Sequence, residues 1–329
     1  MLNKILTALI VASLSLTPLF SFGQAVPTTL ANELNVEINP TYPRPNGQVS
    51  VVLSMYTENL DSATITWYKD GKSVLSGKGE KRYSFEAGAA GEETRIEIRV
   101  TLLSGASFSK SFTISPTSVD LIWEANSYTP PFYRGKALHS SQGALKIVAM
   151  PEFISGNRRI SPQNLIYEWS NDVSAYQSQS GYGKNVLVLN GSILGKSERV
   201  RVLVKDPSSN LTASASITIN PKTPEIIFYE NSPYYGHIFD RALTQEFELK
   251  SEEVQISSAP YYFSKENLGL LKYEWRLNGQ SAPSLFGSRT AIFRKPEENR
   301  GRSSISLRIE NTDRILQQAE GSLVMKFDN

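Results

Sequence analysis

Apolar and polar residues alternate with a period of two along many short stretches of this chain. The clearest stretches are Arg95–Val100, Arg199–Val204 and Ser304–Ile309, in which polar residues alternate with β-branched or other apolar ones. This pattern predicts strands with one buried face. Gly, Pro, Ser and Thr interrupt every apolar run, and helical periodicity is weak throughout. The pattern therefore predicts an all-β fold.

A longer pattern repeats about every 100 residues. Trp67, Trp169 and Trp275 each lie in a short alternating stretch that leads into a turn rich in Asp, Asn or Gly. One of the three alternating strands above follows each tryptophan after about 30 residues. Because alternation turns each indole inward, we predict that Trp67, Trp169 and Trp275 are core residues.

The second and third repeats share a further stretch that the first repeat lacks. Residues 120–138 align without a gap on 225–243, and Ile122 and Ile227 are among the identical pairs. This similarity indicates an internal duplication. It also predicts that the later repeats carry an extra segment before the tryptophan strand.

The N-terminus has the pattern of a secretory signal peptide. Lys4 precedes an apolar stretch that ends near Phe20, and small residues follow at Ser21, Gly23 and Ala25. The stretch is shorter than the roughly 20 residues that span a bilayer, so we expect cleavage and no membrane span afterwards. The predicted organisation is a signal peptide at 1–25, a linker at 26–34, and domains at 35–116, 117–221 and 222–329.

Composition argues against several classes of function. The chain has 34 basic and 32 acidic residues, which gives no electrostatic case for a nucleic-acid partner. The sequence contains no cysteine, so disulfides and thiolate metal sites are excluded. His139 and His237 are the two histidines, too few for a histidine-based metal site, and we expect both to be ordinary loop or surface residues. No catalytic motif is present, so we predict no enzyme activity, no catalytic residues, no cofactor and no metal.

The repeats resemble tandem immunoglobulin-like domains of bacterial surface proteins, in particular the polycystic-kidney-disease-like (PKD-like) group. The resemblance rests on the tryptophan strand, the turn after it, the alternating strand further on and the final strand near a proline. It implies three tandem immunoglobulin-like (PKD-like) β-sandwich domains. It also implies adhesion, spacing or protein interaction outside the cell, with no catalytic residues.

The extra segments of the later repeats are the best candidates for binding. Proline stiffens them, and tyrosine offers a large contact area at low entropic cost. Their aromatic rings could stack on sugars or anchor a protein, or else pack between neighbouring domains. A similar but weaker candidate is Tyr261–Phe263. The candidate binding residues are Tyr128, Phe132, Tyr133, Tyr234, Tyr235 and Phe239.

These observations predict an exported, non-catalytic structural or protein-interaction protein of a bacterial envelope or surface assembly. Its location would be extracellular, on the cell surface or periplasmic, with an envelope or surface protein as partner. The alternative is a carbohydrate-binding adhesin that uses the aromatic segments to hold a glycan.

Overall fold

The computed structural model describes residues 34–191, 195–295 and 300–327. The predicted signal peptide and all but the last residue of the predicted linker lie outside these ranges. Within the described part, the chain forms β-sandwiches with three successive cores, at Leu34–Ile114, Val119–Ile219 and Phe228–Phe327. No helix in the described ranges is both long enough and apolar enough to span a membrane.

The first sandwich has seven strands in two sheets. The strands are β1 (Asn35–Asn39), β2 (Gln48–Ser54), β3 (Thr64–Lys69), β4 (Lys72–Lys78), β5 (Arg82–Glu86), β6 (Thr94–Thr101) and β7 (Ser107–Ile114). The sheet orders are β1-β2-β5 and β4-β3-β6-β7, and every pair is antiparallel.

The second sandwich repeats this arrangement. Its strands are β8 (Ser118–Ala125), β9 (Ala144–Glu152), β12 (Ile166–Ser170), β13 (Gly181–Tyr182), β14 (Val186–Asn190), β15 (Glu198–Lys205) and β16 (Thr212–Ile219), with a small hairpin of β10 (Ile154–Ser155) and β11 (Arg158–Arg159). The sheet orders are β14-β9-β8 and β13-β12-β15-β16, which match the first sandwich strand for strand.

The third sandwich adds one strand to each sheet. Its strands are β17 (Glu225–Ser232), β18 (Gly236–Leu243), β19 (Glu246–Glu248), β20 (Glu253–Tyr261), β21 (Leu271–Leu277), β22 (Gln280–Ser281), β23 (Thr290–Arg294), β24 (Gly301–Asn311) and β25 (Gln318–Phe327). The sheet orders are β18-β17-β20-β23 and β19-β25-β24-β21-β22, and β19 pairs parallel to β25.

Each sandwich is built around one of the repeated tryptophans. Trp67, Trp169 and Trp275 are fully buried on β3, β12 and β21, the strands that pair with the long alternating strands β6, β15 and β24. Each indole N–H also donates a hydrogen bond to a backbone carbonyl in the segment that follows the next strand of the chain. The acceptors are Glu80 O at 2.8 Å, Lys184 O at 2.9 Å and Ser288 O at 2.9 Å. The indole therefore fills the core and also fixes the chain between the two sheets.

The duplicated segment adopts two different conformations. In the third sandwich it forms the hairpin of β17 and β18, which pairs Phe228 with Leu243. In the second sandwich the equivalent stretch after β8 forms no hairpin, and it reaches across to the third sandwich instead. Sequence similarity alone predicts the same structure for both segments. Their different tertiary contacts give them different conformations.

Candidate binding surface at the junction of the second and third sandwiches

Backbone hydrogen bonds join the second sandwich to the third. The N–H of Tyr128 donates to Phe263 O at 2.7 Å, and the N–H of Tyr262 donates to Tyr128 O at 2.8 Å. Ser127 and Ser264 form an antiparallel bridge beside them. This short ladder places the extra segment of the second repeat directly on the third sandwich.

A cluster of tyrosines lies under this ladder, on the outer face of the β17–β20 sheet. Tyr229, Tyr261 and Tyr262 are buried there, and Tyr128 and Leu138 from the second repeat pack over them. The hydroxyls of Tyr229 and Tyr261 are hydrogen-bonded at 2.7 Å. Burial raises the pKa of Tyr261 and that of Tyr262 far above the ordinary value, so both phenols stay neutral.

Gln317 supplies the polar part of the same interface. Its side chain is fully buried, and its Nε2 donates to Ser140 Oγ at 3.2 Å and to Ser141 O at 2.9 Å in the second repeat. Its Oε1 accepts from the N–H of Ser264 at 3.0 Å and from Asn311 Nδ2 at 3.0 Å in the third sandwich. Two of these four hydrogen bonds, those to Ser140 and Ser141, cross to the second repeat, and the other two hold the amide in place within the third sandwich.

His139 is also buried at this junction, a burial that the sequence did not predict. It does lie in a loop, but that loop is folded inward, and the N–H of Lys222 donates to His139 O at 2.7 Å. The ring lies against Gly191, where a Cβ would come within 2.5 Å of His139 Cε1. Exposed His237 remains on the surface as expected.

Lowering the pH should destabilise this junction through His139. Burial lowers the pKa of His139, against a smaller opposing effect of Glu198, while the unfolded chain keeps a histidine pKa of about 6.5. Below about pH 6.5 the unfolded state therefore binds more protons, and stability falls until the folded-state pKa is passed. We expect urea midpoints to decrease from about pH 7.5 to about pH 5, and His139→Gln to flatten this slope. His237→Gln, which alters the exposed histidine, serves as control; an unchanged slope in His139→Gln would contradict the assignment.

The structure divides the six candidate binding residues into two groups. Tyr128 lies in the interface, where Arg289 Nη2 donates to its hydroxyl at 2.5 Å. Tyr133 packs edge-on against Tyr261 at 5.6 Å between ring centroids, and Phe239 packs against Tyr229 at 5.2 Å. Tyr128 and Tyr133 therefore make contacts across the junction, whereas Phe239 packs within the third sandwich. The weaker candidate Tyr261–Phe263 is buried in it.

The other three rings face outward at the edge of the same junction. Phe132 is 93% exposed, Tyr234 is 90% exposed and Tyr235 is 87% exposed. We call Phe132, Tyr234 and Tyr235 the aromatic rim. Exposed apolar groups that lie close together are candidates for a contact surface, so the aromatic rim is the candidate binding surface of this junction.

Phe132 adopts a backbone conformation that phenylalanine normally avoids. The turn at Pro130–Tyr133 closes through the N–H of Tyr133 and Pro130 O at 3.3 Å, and Phe132 has a φ of 63° at its third position. In such a turn, glycine or asparagine is the usual residue at this position, because a side chain is strained at positive φ. The chain therefore keeps a strained and exposed ring at a tip stiffened by two prolines.

Replacing Phe132 by glycine should leave the fold at least as stable. Relief of the left-handed strain offsets the greater flexibility of glycine in the unfolded chain, so we expect the unfolding free energy to stay unchanged or to rise by about 1 kcal/mol. Thermal melting checks this expectation. A loss of stability comparable to that of a core substitution would show that the ring has a structural role.

A cleft of about 630 Å³ lies between the two turns that carry the aromatic rim. Its lining comprises Phe132, Arg134, Tyr235, His237, Ile238, Phe239 and Asp240. Arg134 and Asp240 form no ion pair or side-chain hydrogen bond within the part of the chain that the structure describes. Both lie in the extra segments that the sequence had singled out, but only their position next to the rings identifies them as site residues. Among the described residues, no group of acidic or histidine side chains is arranged to hold a metal ion.

Comparisons with known proteins bear on the fold alone. No protein-family model matches the sequence, and no curated protein matches it significantly. Solved structures with similar folds include the three N-terminal domains of the Highly Immunogenic Outer Capsid protein of bacteriophage RB49, with 12% identity, coverage of 90% of this chain and 98% of that chain, and a TM-score of 0.27. The central fibronectin-III array of RIM-binding protein has 15% identity, coverage of 91% and 96%, and a TM-score of 0.30. The Bacteroides ovatus mixed-linkage glucan utilization locus protein SGBP-B, in complex with a mixed-linkage heptasaccharide, has 14% identity, coverage of 89% and 70%, and a TM-score of 0.22.

The fold assignment follows from the sheet order of the chain itself. In each sandwich the tryptophan strand and the long alternating strand lie in one sheet, and the first two long strands lie in the facing sheet. This is the arrangement of the immunoglobulin-like sandwich, which has a buried tryptophan in the sheet that faces the first two long strands. The chain is a tandem array of immunoglobulin-like β-sandwich domains.

Proposed function

We propose that this chain is a non-catalytic, exported protein-interaction protein of a bacterial envelope or surface assembly, and that its partner protein contacts the aromatic rim. Export rests on the signal-peptide pattern of residues 1–25. The rim carries the proposal because Phe132, Tyr234 and Tyr235 are almost fully exposed at one junction. Exposed aromatic clusters on a folded surface are typical anchors for protein partners.

The junction supports this proposal by holding the rim in place. The ladder at Tyr128, the tyrosine cluster and Gln317 fix the two turns relative to each other. Rings presented on a fixed surface lose little conformational entropy when they bind, which increases affinity.

Crosslinking in intact source cells tests the proposal. We expect the wild-type protein to capture a defined set of envelope proteins, identified by mass spectrometry. A variant with Phe132→Ser, Tyr234→Ser and Tyr235→Ser should lose them. The control is Tyr56→Ser, which removes an 89% exposed ring from the first sandwich. Equal capture by both variants would overturn the role of the rim.

Glycan binding is the second candidate, favoured by the polar lining of the cleft. Arg134 and Asp240 lie next to Phe132 and Tyr235, and sugar hydroxyls can both accept from a guanidinium and donate to a carboxylate while a ring stacks on the sugar face. Isothermal titration with soluble polysaccharides tests this candidate. Binding that is lost in Asp240→Asn and retained in Asp172→Asn, which changes an acid of the second sandwich, would favour it over a protein partner.

A further inference from the structure

Three asparagines of this chain are followed directly by glycine, at Asn46, Asn190 and Asn278. In such a pair the backbone nitrogen of the glycine can attack the side-chain carbonyl carbon of the asparagine, because glycine has no Cβ to obstruct the approach. The attack closes a five-membered succinimide ring and converts the amide to an acid after hydrolysis. Whether a pair reacts in the folded chain depends on how its glycine nitrogen is held, and the three pairs differ in this respect.

Hydrogen bonds hold the glycine nitrogen in two of the pairs. The N–H of Gly47 donates to Arg44 O at 3.0 Å, and the N–H of Gly191 donates to Gly143 O at 2.7 Å. The space around these glycines is also filled. A Cβ on Gly47 would lie 3.0 Å from Arg44 O, and a Cβ on Gly191 would lie 2.5 Å from His139 Cε1. Both nitrogens must therefore break a hydrogen bond and move within packed surroundings before they can react.

Gly279 is held by neither constraint. Asn278 and Gly279 form the two-residue loop between β21 and β22, where Leu277 pairs with Gln280. Their φ angles of 51° and 78° are those of the tight hairpin turn that favours Asn-Gly. Within the part of the chain that the structure describes, the Gly279 N–H has no hydrogen-bond acceptor, and no atom lies within 4 Å of a Cβ built on this residue. Both loop residues are exposed, so water reaches them.

The carbonyl group that would be attacked already accepts a hydrogen bond. Asn278 Oδ1 accepts from the N–H of Ser304 on β24 at 2.8 Å. Negative charge develops on this oxygen when the nitrogen bonds to the neighbouring carbon, and a donor in place stabilises that charge. The turn therefore combines a free nitrogen with a polarised carbonyl group.

The first sandwich carries a carboxylate in the same turn. Asp70 and Gly71 join β3 to β4 with φ angles of 50° and 79°. The N–H of Asp70 donates to Arg95 O at 2.9 Å, and its Oδ1 accepts from the N–H of Arg95 at 2.8 Å. Asn278 makes the same pair of bonds with Ser304, at 2.7 Å and 2.8 Å. An aspartate at position 278 would therefore keep the hydrogen bonds of this turn.

We propose that Asn278 is a site of spontaneous deamidation, that it reacts ahead of Asn46 and Asn190 in the folded chain, and that its turn accepts the aspartate that forms. The Gly279 nitrogen bonds to Asn278 Cγ and gives its proton to water. The Cγ–Nδ2 bond breaks, and Nδ2 takes up a proton and leaves as ammonia. This site lies apart from the aromatic rim, so the inference goes beyond the proposed function and does not depend on it.

Water then opens the succinimide at either of its two carbonyl carbons. Attack at the side-chain carbon restores the normal backbone and yields aspartate, which keeps the turn. Attack at the backbone carbon yields isoaspartate, whose main chain runs through Cγ and is one atom longer. The longer loop no longer matches the two-residue turn, so it should weaken the pairing of Leu277 with Gln280.

Peptide mapping by mass spectrometry tests this inference on the full chain, incubated in mildly alkaline buffer well below its melting temperature. We expect Asn278 to convert at least about five-fold faster than Asn46 or Asn190, which is the factor that one net hydrogen bond supplies. In concentrated urea the three pairs should convert at similar rates, because no fold then protects any of them. Asn278→Gln should give no conversion at position 278, since its longer side chain would have to close a less favourable six-membered ring.

The melting temperature of Asn278→Asp tests the second part of the proposal. We expect this variant to melt like the wild type, because Asp70 makes the same bonds in the first sandwich. Conversion of Asn278 in the folded chain at the rate of the other two pairs, or the same ranking of the three in urea, would overturn the structural control of the reaction. A clearly lower melting temperature of Asn278→Asp would overturn the claim that the turn accepts the product.

Discussion

Replacing Trp169 by alanine is expected to lower the unfolding free energy of the second sandwich by about 3–5 kcal/mol. The indole is fully buried on β12, and its Nε1–H donates to Lys184 O at 2.9 Å. Alanine leaves a cavity and a buried carbonyl without its donor, and both effects are destabilising. The unfolding free energy of domains of this size is about 5–15 kcal/mol, so this substitution would remove a large part of it.

Trp123→Ala is the matched control within the same sandwich. Trp123 lies on the edge strand β8 and is only partly buried, with Lys136 Nζ at 3.3 Å from its ring centroid. An edge position creates a smaller cavity, so we expect less than half of the loss seen for Trp169→Ala. Urea denaturation followed by circular dichroism measures both. Equal losses would contradict a central role for the repeated tryptophan.

Replacing Gln317 by methionine is expected to uncouple the second and third sandwiches. Methionine keeps the approximate volume of the side chain but removes all four hydrogen bonds to Ser140, Ser141, Ser264 and Asn311. A buried polar group left without a partner costs about 1–3 kcal/mol, and more than one such group remains, so we expect a loss of about 3–5 kcal/mol that is shared between the interface and the third sandwich.

Calorimetry and hydrogen exchange measure this uncoupling. The wild-type second and third sandwiches should unfold together, whereas the variant should show a separate, earlier transition. The amides of Tyr128 and Tyr262, which form the ladder, should exchange faster. Gln280→Met is the control, since Gln280 is an exposed residue of β22. If Gln317→Met melted like this control, Gln317 would contribute little to the coupling, and the ladder and the tyrosine cluster would hold the two sandwiches together.

Much of the fold is readable from local patterns. The alternating stretches at Arg95, Arg199 and Ser304 lie in β6, β15 and β24. A strand with one buried face needs an apolar residue at every second position, so the sequence alternates along it. The repeated tryptophans identify the three successive sandwiches, because each core contains one large ring on the equivalent strand.

The junction could not be predicted in the same way. Residues 120–138 and 225–243 are duplicates, yet one forms a hairpin and the other crosses to the next sandwich. The difference depends on what lies beside each segment, such as the ladder from Tyr128 to Phe263, and not on local propensity. Gln317 gives no signal in the sequence, because a single glutamine in a turn is ordinary until its four partners are known.

The sequence also could not predict which of the candidate binding residues are buried and which are exposed. Tyr128 and Phe132 are four residues apart in one aromatic stretch, but one ring lies in the interface and the other is exposed. Composition and proline content mark the stretch as a place for contacts. Only the interface decides which rings remain free for a partner.

Site-specific photo-crosslinking tests most directly whether the aromatic rim is the partner-binding surface. A photoreactive amino acid would replace Tyr235 in the protein expressed in its source cells, and the same amino acid at Tyr56 would serve as the reference position. We predict that position 235 yields discrete crosslinked envelope proteins and that position 56 does not. Identical crosslinking patterns from the two positions, or no product from position 235, would contradict the account.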